Sequence, residues 1–270
     1  MGKIKRLIRK VIVEILGRDP VAASEFIEDA LVVSFDVFDT LVVRNCSDPH
    51  VVFDIVERRY NRLYPSAQVS GFRRARVDAE SRARKVVVAE EPTIFEIYAM
   101  LGDGLADVAP ELLRLEIDTE IRICRPNPDV KPLFDQALAE GKRVVIASDM
   151  YLGADYISKI LKSCGYAGYE GLYVSADYGV TKRSGSLFGI IQRELGVAKR
   201  DIIHIGDHPI SDYFVPKRVG MRSFLCGKRT LDLGLFRSRF GFHGDALDND
   251  ALSGVVANGI RNNGTDVSVG

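Results

Sequence analysis

An α/β fold on a parallel sheet is predicted by three features of the sequence. Short runs rich in Val, Ile and Leu recur at 31–35, 144–147, 172–175, 202–205 and 223–225, too apolar to leave one face to water. Stretches with apolar residues three and four apart separate the later runs, at 129–140, 153–163, 185–195 and 209–219, several followed by Gly as a C-cap would be. Strand and helix in alternation imply parallel pairing through right-handed crossovers. Third, four segments place a carboxylate, hydroxyl or ammonium just past an apolar run: LVVSFDVFDT, RVVIASD, GVTKRSGS and IIHIGDHPISD.

Taken in order, residues 1–29 are expected to form a basic helix and linker. Ile4, Leu7, Ile8, Val11, Ile12, Ile15 and Leu16 make a helical stripe, and Lys3, Lys5, Arg6, Arg9 and Lys10 fall mostly off it. Such a helix over 2–17 either packs on protein or lies on an anionic membrane surface. The first strand follows in 30–44. The next strand comes only after residue 128, far beyond the needs of a crossover, so 45–128 is read as an insert. Its apolar spacing is helical over 49–64, 71–90, 93–101 and 110–123, as expected of a cap standing over the carboxyl ends of the strands. Residues 129–226 complete the core. The Gly- and Asn-rich end of 227–270 predicts a partly disordered tail.

Composition narrows the function. Lys plus Arg and Asp plus Glu number 37 each, so no global cationic field draws the chain to nucleic acid. Cys46, Cys124, Cys164 and Cys226 stand apart, without the spacing of a zinc site or a disulfide framework. No apolar run is long enough to span a bilayer, and the first residues lack a signal-peptide pattern. The expectation is a cytoplasmic protein, at the inner face of the membrane if the basic helix binds lipid.

The chemistry follows from the strand ends. Asp36 leaves a buried strand, where a carboxylate is costly unless pairing or function holds it. Asp207 and Asp212 follow a second buried strand and should converge on the same edge. Three acids crowded together call for a cation, and hard oxygen ligands in that number suit Mg²⁺. Ser148 adds a hydroxyl and Lys182 a compact positive charge. As a set these supply what phosphoryl transfer needs: nucleophile, metal, hydroxyl donor and a cation for the equatorial oxygens.

These four motifs, in this order over about 31–226, resemble those of the haloacid dehalogenase superfamily. The resemblance implies a Rossmann-like core, Asp36 as a nucleophile forming an aspartyl phosphate, and Ser148 and Lys182 on the phosphoryl group. It implies Asp207 and Asp212 on Mg²⁺, with the Phe38 carbonyl as a further ligand. Thr40, Arg44 and Asp149, beside these motifs, are the residues expected about the substrate. One departure stands out. Phosphatases of the superfamily usually carry a second Asp two residues after the nucleophile, where this chain has Phe38. Dehalogenases carry an aromatic residue there, but they work without metal, usually lack the Gly206-Asp207 pair, and have Gly where Asp39 stands. Asp39 is then the substitute proton donor, with His50, Asp149 or a residue of the cap as alternatives, or a leaving group that departs with little proton assistance; Tyr151 either lines the pocket or simply packs.

The finer pattern, with SDMYL and HIGDHPISD, looks like a subgroup found beside or fused to bacterial glycosyltransferases. That resemblance implies a sugar phosphate or phosphorylated glycan intermediate of surface polysaccharide, or capsule, synthesis as substrate, and a glycosyltransferase as a possible partner. The alternatives are a catalytically weak module that positions such a transferase, and a carbon–halogen hydrolase. Within the insert, Arg73, Arg74, Arg76, Arg82, Arg84 and Lys85 either grip an anionic glycan or, with Asp78 and Glu80, form a stabilising ladder.

Overall fold

The computed structural model describes residues 23–44, 46, 48–102 and 104–227. The basic stretch 2–17 and the tail beyond residue 227 lie outside the described residues. Among the described residues the strands are β1 (Val32–Phe35), β2 (Val42–Arg44), β3 (Cys124–Pro126), β4 (Arg143–Ser148), β5 (Gly171–Val174), β6 (Ile202–Gly206) and β7 (Arg222–Leu225). Five of them form one parallel sheet in the order β5-β4-β1-β6-β7, and β2 and β3 form a separate two-stranded sheet. The predicted α/β class and parallel sheet are what the chain adopts. All of β1 and β6 is buried, which is why their sequences run apolar rather than alternating.

Helices cover both faces of this sheet. On one, Val32, Val145, Ala147 and Ile202 pack with Leu187, Phe188, Ile191 and Leu195 of the helix Ser186–Leu195. On the other, Phe35 meets Phe134 of the helix Lys131–Ala139 at 5.6 Å between ring centroids, and Phe134 meets Tyr166 at 4.9 Å. From β1 the chain winds through β4 to β5 at one edge, then crosses to β6 and β7 on the far side of β1. The strand order therefore reverses at β1, and ligands of open α/β sheets bind outside the carboxyl ends at such a point.

The described chain divides into two compact units, one from 23–43 and 126–227 and the other from 44–125. The second contains the helices Val51–Leu63, Phe72–Val86, Ile94–Tyr98 and Ala109–Ile123. Two of them fall well short of their sequence patterns. The helix expected over 71–90 stops at Val86 because Val86, Val87 and Val88 are β-branched in succession, and Val87 is extended at ψ 135°. The pattern at 93–101 yields Ile94–Tyr98, opened by a capping box in which Thr93 and Glu96 satisfy each other's backbone amides.

Arg76 lies at the centre of this unit and is fully buried. Its Nε and Nη2 donate to the two oxygens of Glu116 at 3.0 and 2.9 Å, its Nη1 lies 3.3 Å from Glu80, and its guanidinium sits 4.9 Å from the Phe53 ring centroid. Arg84 donates to Glu80, Arg73 to Asp54 and Asp48, and Arg82 to the Met100 carbonyl. The arginine-rich helix is thus ion-paired within its own unit.

Candidate active site

The sheet register builds the site. Phe35 is paired with Ile146 of β4 on one side and Ile205 of β6 on the other, so Asp36, Ser148 and Asp207 all emerge within a residue or so of one level. The Asp36 amide donates to the Ile205 carbonyl at 2.9 Å, which extends the ladder to the residue that bears the carboxylate. Asp212 comes back to the same edge on a π-helical turn, Pro209–Phe214, followed by a short α-helix, Val215–Arg218. One continuous helix was the expectation there. The wider turn is opened by His208, whose Nδ1 accepts from the amides of Ile210 and Ser211.

One oxygen each of Asp36, Asp207 and Asp212 lies within 4.8 Å of the others, and all three residues are buried. A Cβ at Gly206 would come within 2.5 Å of Asp212 Cγ. The glycine before Asp207 is therefore the space that the Asp212 carboxylate occupies.

Lys182 reaches this cluster from a loop. Its ammonium, 2% exposed as a residue, donates to Asp36 Oδ1 at 2.5 Å and to Asp212 Oδ1 at 2.7 Å. Asp149, next to Ser148, accepts from the Lys182 amide at 2.6 Å and the Arg183 amide at 3.2 Å. It thus holds the loop that presents the lysine.

Three carboxylates cluster where one ammonium reaches two of them, and the electrostatics reflect the imbalance. Burial foremost, then the charges of Asp212 and Asp207, push Asp36 up to about 8 against the pull of Lys182. Burial works the same way on Asp212, but Lys182 and His204 outweigh it and hold that carboxyl well below the usual range. Burial alone would lower Lys182; Asp212 and Asp36 raise it instead. The Cys226 thiol, buried beside the acids, is pushed up by burial and then by Asp207, which keeps it protonated and a poor nucleophile. Hard oxygens in this number, with a surplus of negative charge, fit Mg²⁺.

Phe38, Asp39 and Thr40 form the turn that ends the first motif. Asp39 is exposed, has a left-handed backbone at φ 60°, and donates its amide to the Val42 carbonyl at 2.7 Å. Aspartate tolerates that conformation better than most side chains. Thr40 is fully buried, and its hydroxyl has no hydrogen-bond partner among the described residues. Arg44, expected near the substrate, donates from Nε and Nη2 to the two oxygens of Glu120 at 2.9 and 3.0 Å.

Two residues of this network lie in the strands themselves, within the first and fourth segments but with no role assigned to them from the sequence. His204 is fully buried in β6, with Nε2 3.2 Å from Asp212 Oδ1 and Nδ1 2.9 Å from Ser34 Oγ in β1. Burial holds the ring below its usual pKa, hence neutral, although the Asp212 bond opposes this. A carboxylate only accepts, so Nε2 carries the proton and Ser34 donates to Nδ1. The signal was a polar residue in the middle of each of two apolar runs, VVSF and IIHIG.

Comparison with known proteins agrees with this geometry. The sequence pattern described as haloacid dehalogenase-like hydrolase matches residues 31–220. Haloacid dehalogenase-like hydrolase domain-containing protein 3 of Danio rerio is 30% identical over 71 residues, which is 26% of this chain and 29% of that protein's length. A 2-haloacid dehalogenase from Pseudomonas syringae superposes with a TM-score of 0.56 at 19% identity, over 73% of this chain and 86% of that one. The L-2-haloacid dehalogenase of Xanthobacter autotrophicus with chloropropionic acid covalently bound gives 0.51 at 15% identity, over 83% and 88%. At these identities the likeness is one of fold.

Proposed function

Because the chain belongs to the haloacid dehalogenase-like hydrolases, we propose that Asp36 attacks the phosphorus of a phosphate monoester and becomes an aspartyl phosphate. Water then cleaves that intermediate to free phosphate and restore the carboxylate. The observation that carries this reading is the Lys182 ammonium between Asp36 and Asp212, with Asp207 in the same cluster. Mg²⁺, held by Asp36, Asp207, Asp212 and the Phe38 carbonyl, would supply positive charge against the phosphoryl oxygens. Lys182 supplies more of it, and the Ser148 hydroxyl donates to a phosphoryl oxygen. Asp149 keeps Lys182 in place through the loop backbone. The substrate class we propose is a sugar phosphate or phosphorylated glycan intermediate.

The test is hydrolysis of an aryl phosphate with and without Mg²⁺, beside halide release from 2-chloropropionate. Mg²⁺-dependent phosphate release with no halide is the expected result. Halide release without metal favours the second reading, attack of Asp36 on a carbon bearing halogen, for which Phe38 two residues after the nucleophile speaks. No turnover of either compound, nor of a panel of sugar phosphates, favours a module that docks a glycosyltransferase.

Asp39 is proposed as the group that protonates the leaving oxygen. Asn suits a left-handed backbone as well as Asp does, so Asp39→Asn keeps the turn. It is expected to slow an alkyl phosphate by about 10²-fold or more and an aryl phosphate, which leaves without a proton, by less than about threefold. Equal slowing of the two esters in steady-state assays would sink this assignment.

A further inference from the structure

We infer that His204, anchored by Ser34, is a positioning residue that keeps one oxygen of Asp212 for Lys182 and so leaves the other to take the cation. The inference rests on the metal-dependent reading above and goes beyond it to two strand residues to which that reading gives no role.

The count of lone pairs on Asp212 carries the argument. Its Oδ1 receives the Lys182 ammonium at 2.7 Å and His204 Nε2 at 3.2 Å, and its Oδ2 receives the His208 amide at 2.8 Å. A carboxylate offers about four lone-pair sites, two on each oxygen. Three are taken, so Oδ1 is filled and the fourth, on Oδ2, is the place for a metal. Without His204 the carboxylate would keep Lys182 and the His208 amide but would be free to rotate about its terminal bond and share Oδ1 with the cation. Two donors on one oxygen and one on the other fix both its plane and its division of labour.

The imidazole is itself held from three sides. Ser34 and His204 are direct cross-strand partners in the parallel ladder of β1 and β6, which sets their separation through the backbone. Their side chains share the sheet face covered by the helix Ser186–Leu195, and the Phe188 ring meets His204 edge-on at 4.9 Å. Both residues are 0% exposed. An apolar pair would fill these two places without the cost of burying polar atoms, which leaves the orientation of Asp212 as what the polar pair provides.

Titration calorimetry of Mg²⁺ into the full chain tests this, independently of turnover. In His204→Leu and in the double variant Ser34→Ala with His204→Leu, which leaves no orphaned hydroxyl, Mg²⁺ affinity is expected to fall about 10- to 100-fold. His204→Gln, whose amide nitrogen reaches nearly as far as Nε2, is expected to stay within about threefold of the parent. Should the leucine variants fail to fold, His204→Asn decides. Its shorter amide keeps Ser34 within reach but falls short of Asp212, so weakened binding in a cooperatively melting protein is expected. Parent-like Mg²⁺ affinity in His204→Leu, in the double variant or in His204→Asn, whichever folds, overturns the inference alone. A parent that binds no Mg²⁺ overturns the inference together with the metal-dependent phosphatase reading.

Discussion

Asp36→Asn is expected to lower phosphate ester turnover by about 10⁴-fold or more, the scale on which removing a nucleophile acts. The amide keeps the size of the carboxylate but is a poor nucleophile towards phosphorus. The same substitution is expected to leave the metal-free thermal midpoint unchanged or higher. Burial and the charges of Asp212 and Asp207 push the Asp36 carboxyl up to about 8, so the metal-free cluster already favours an uncharged group there and an amide of the same size supplies one. Lys182 retains Asp212 at 2.7 Å as its counterion. Lost turnover in a protein at least as stable as the parent separates chemistry from folding. Turnover within tenfold of the parent, with melting followed by circular dichroism, would remove Asp36 from the nucleophile's role.

Glu116→Ala is expected to destabilise the 44–125 unit by about 3–5 kcal/mol, because it strands the Arg76 guanidinium without its bidentate partner. Neither side chain has any exposure, so water cannot take the place of the lost carboxylate. Tyr98, whose hydroxyl donates to Glu116 at 2.7 Å, loses its acceptor as well. Replacing both members, as Arg76→Met with Glu116→Leu, is expected to recover stability to within about 1–2 kcal/mol, since apolar side chains of similar volume do not need each other. By contrast Arg122→Ala breaks the exposed bond to Asp118 and is expected to cost about 1 kcal/mol or less. Urea unfolding of the four proteins checks the series. A loss below about 1 kcal/mol for Glu116→Ala would mean that water or a rearrangement reaches Arg76.

The two expected results draw on different kinds of legibility. Asp36, Ser148, Lys182, Asp207 and Asp212 were readable because each follows a strand end or opens a loop, and parallel strands of similar length deliver their ends to one edge. Asp149 was readable as a candidate but not as the acceptor of the Lys182 and Arg183 amides, since the loop from Lys182 returns more than thirty residues later. Arg44 and Arg76 looked available for an anion. Their partners Glu120 and Glu116 lie on a helix 76 and 40 residues further on, and only helix packing brings them together.

The sequence by itself determined the parallel sheet and the family to which the chain belongs, because buried strands, helical spacing and motif order are properties of neighbours along the chain. The tertiary structure decided which charges meet. It put Lys182 between two acids, gave Gly206 its reason in the bulk of Asp212, and joined Ser34 to His204 beneath the site. Those outcomes depend on strand register and on the return path of loops, where a shift of one residue would send a side chain to the opposite face of the sheet.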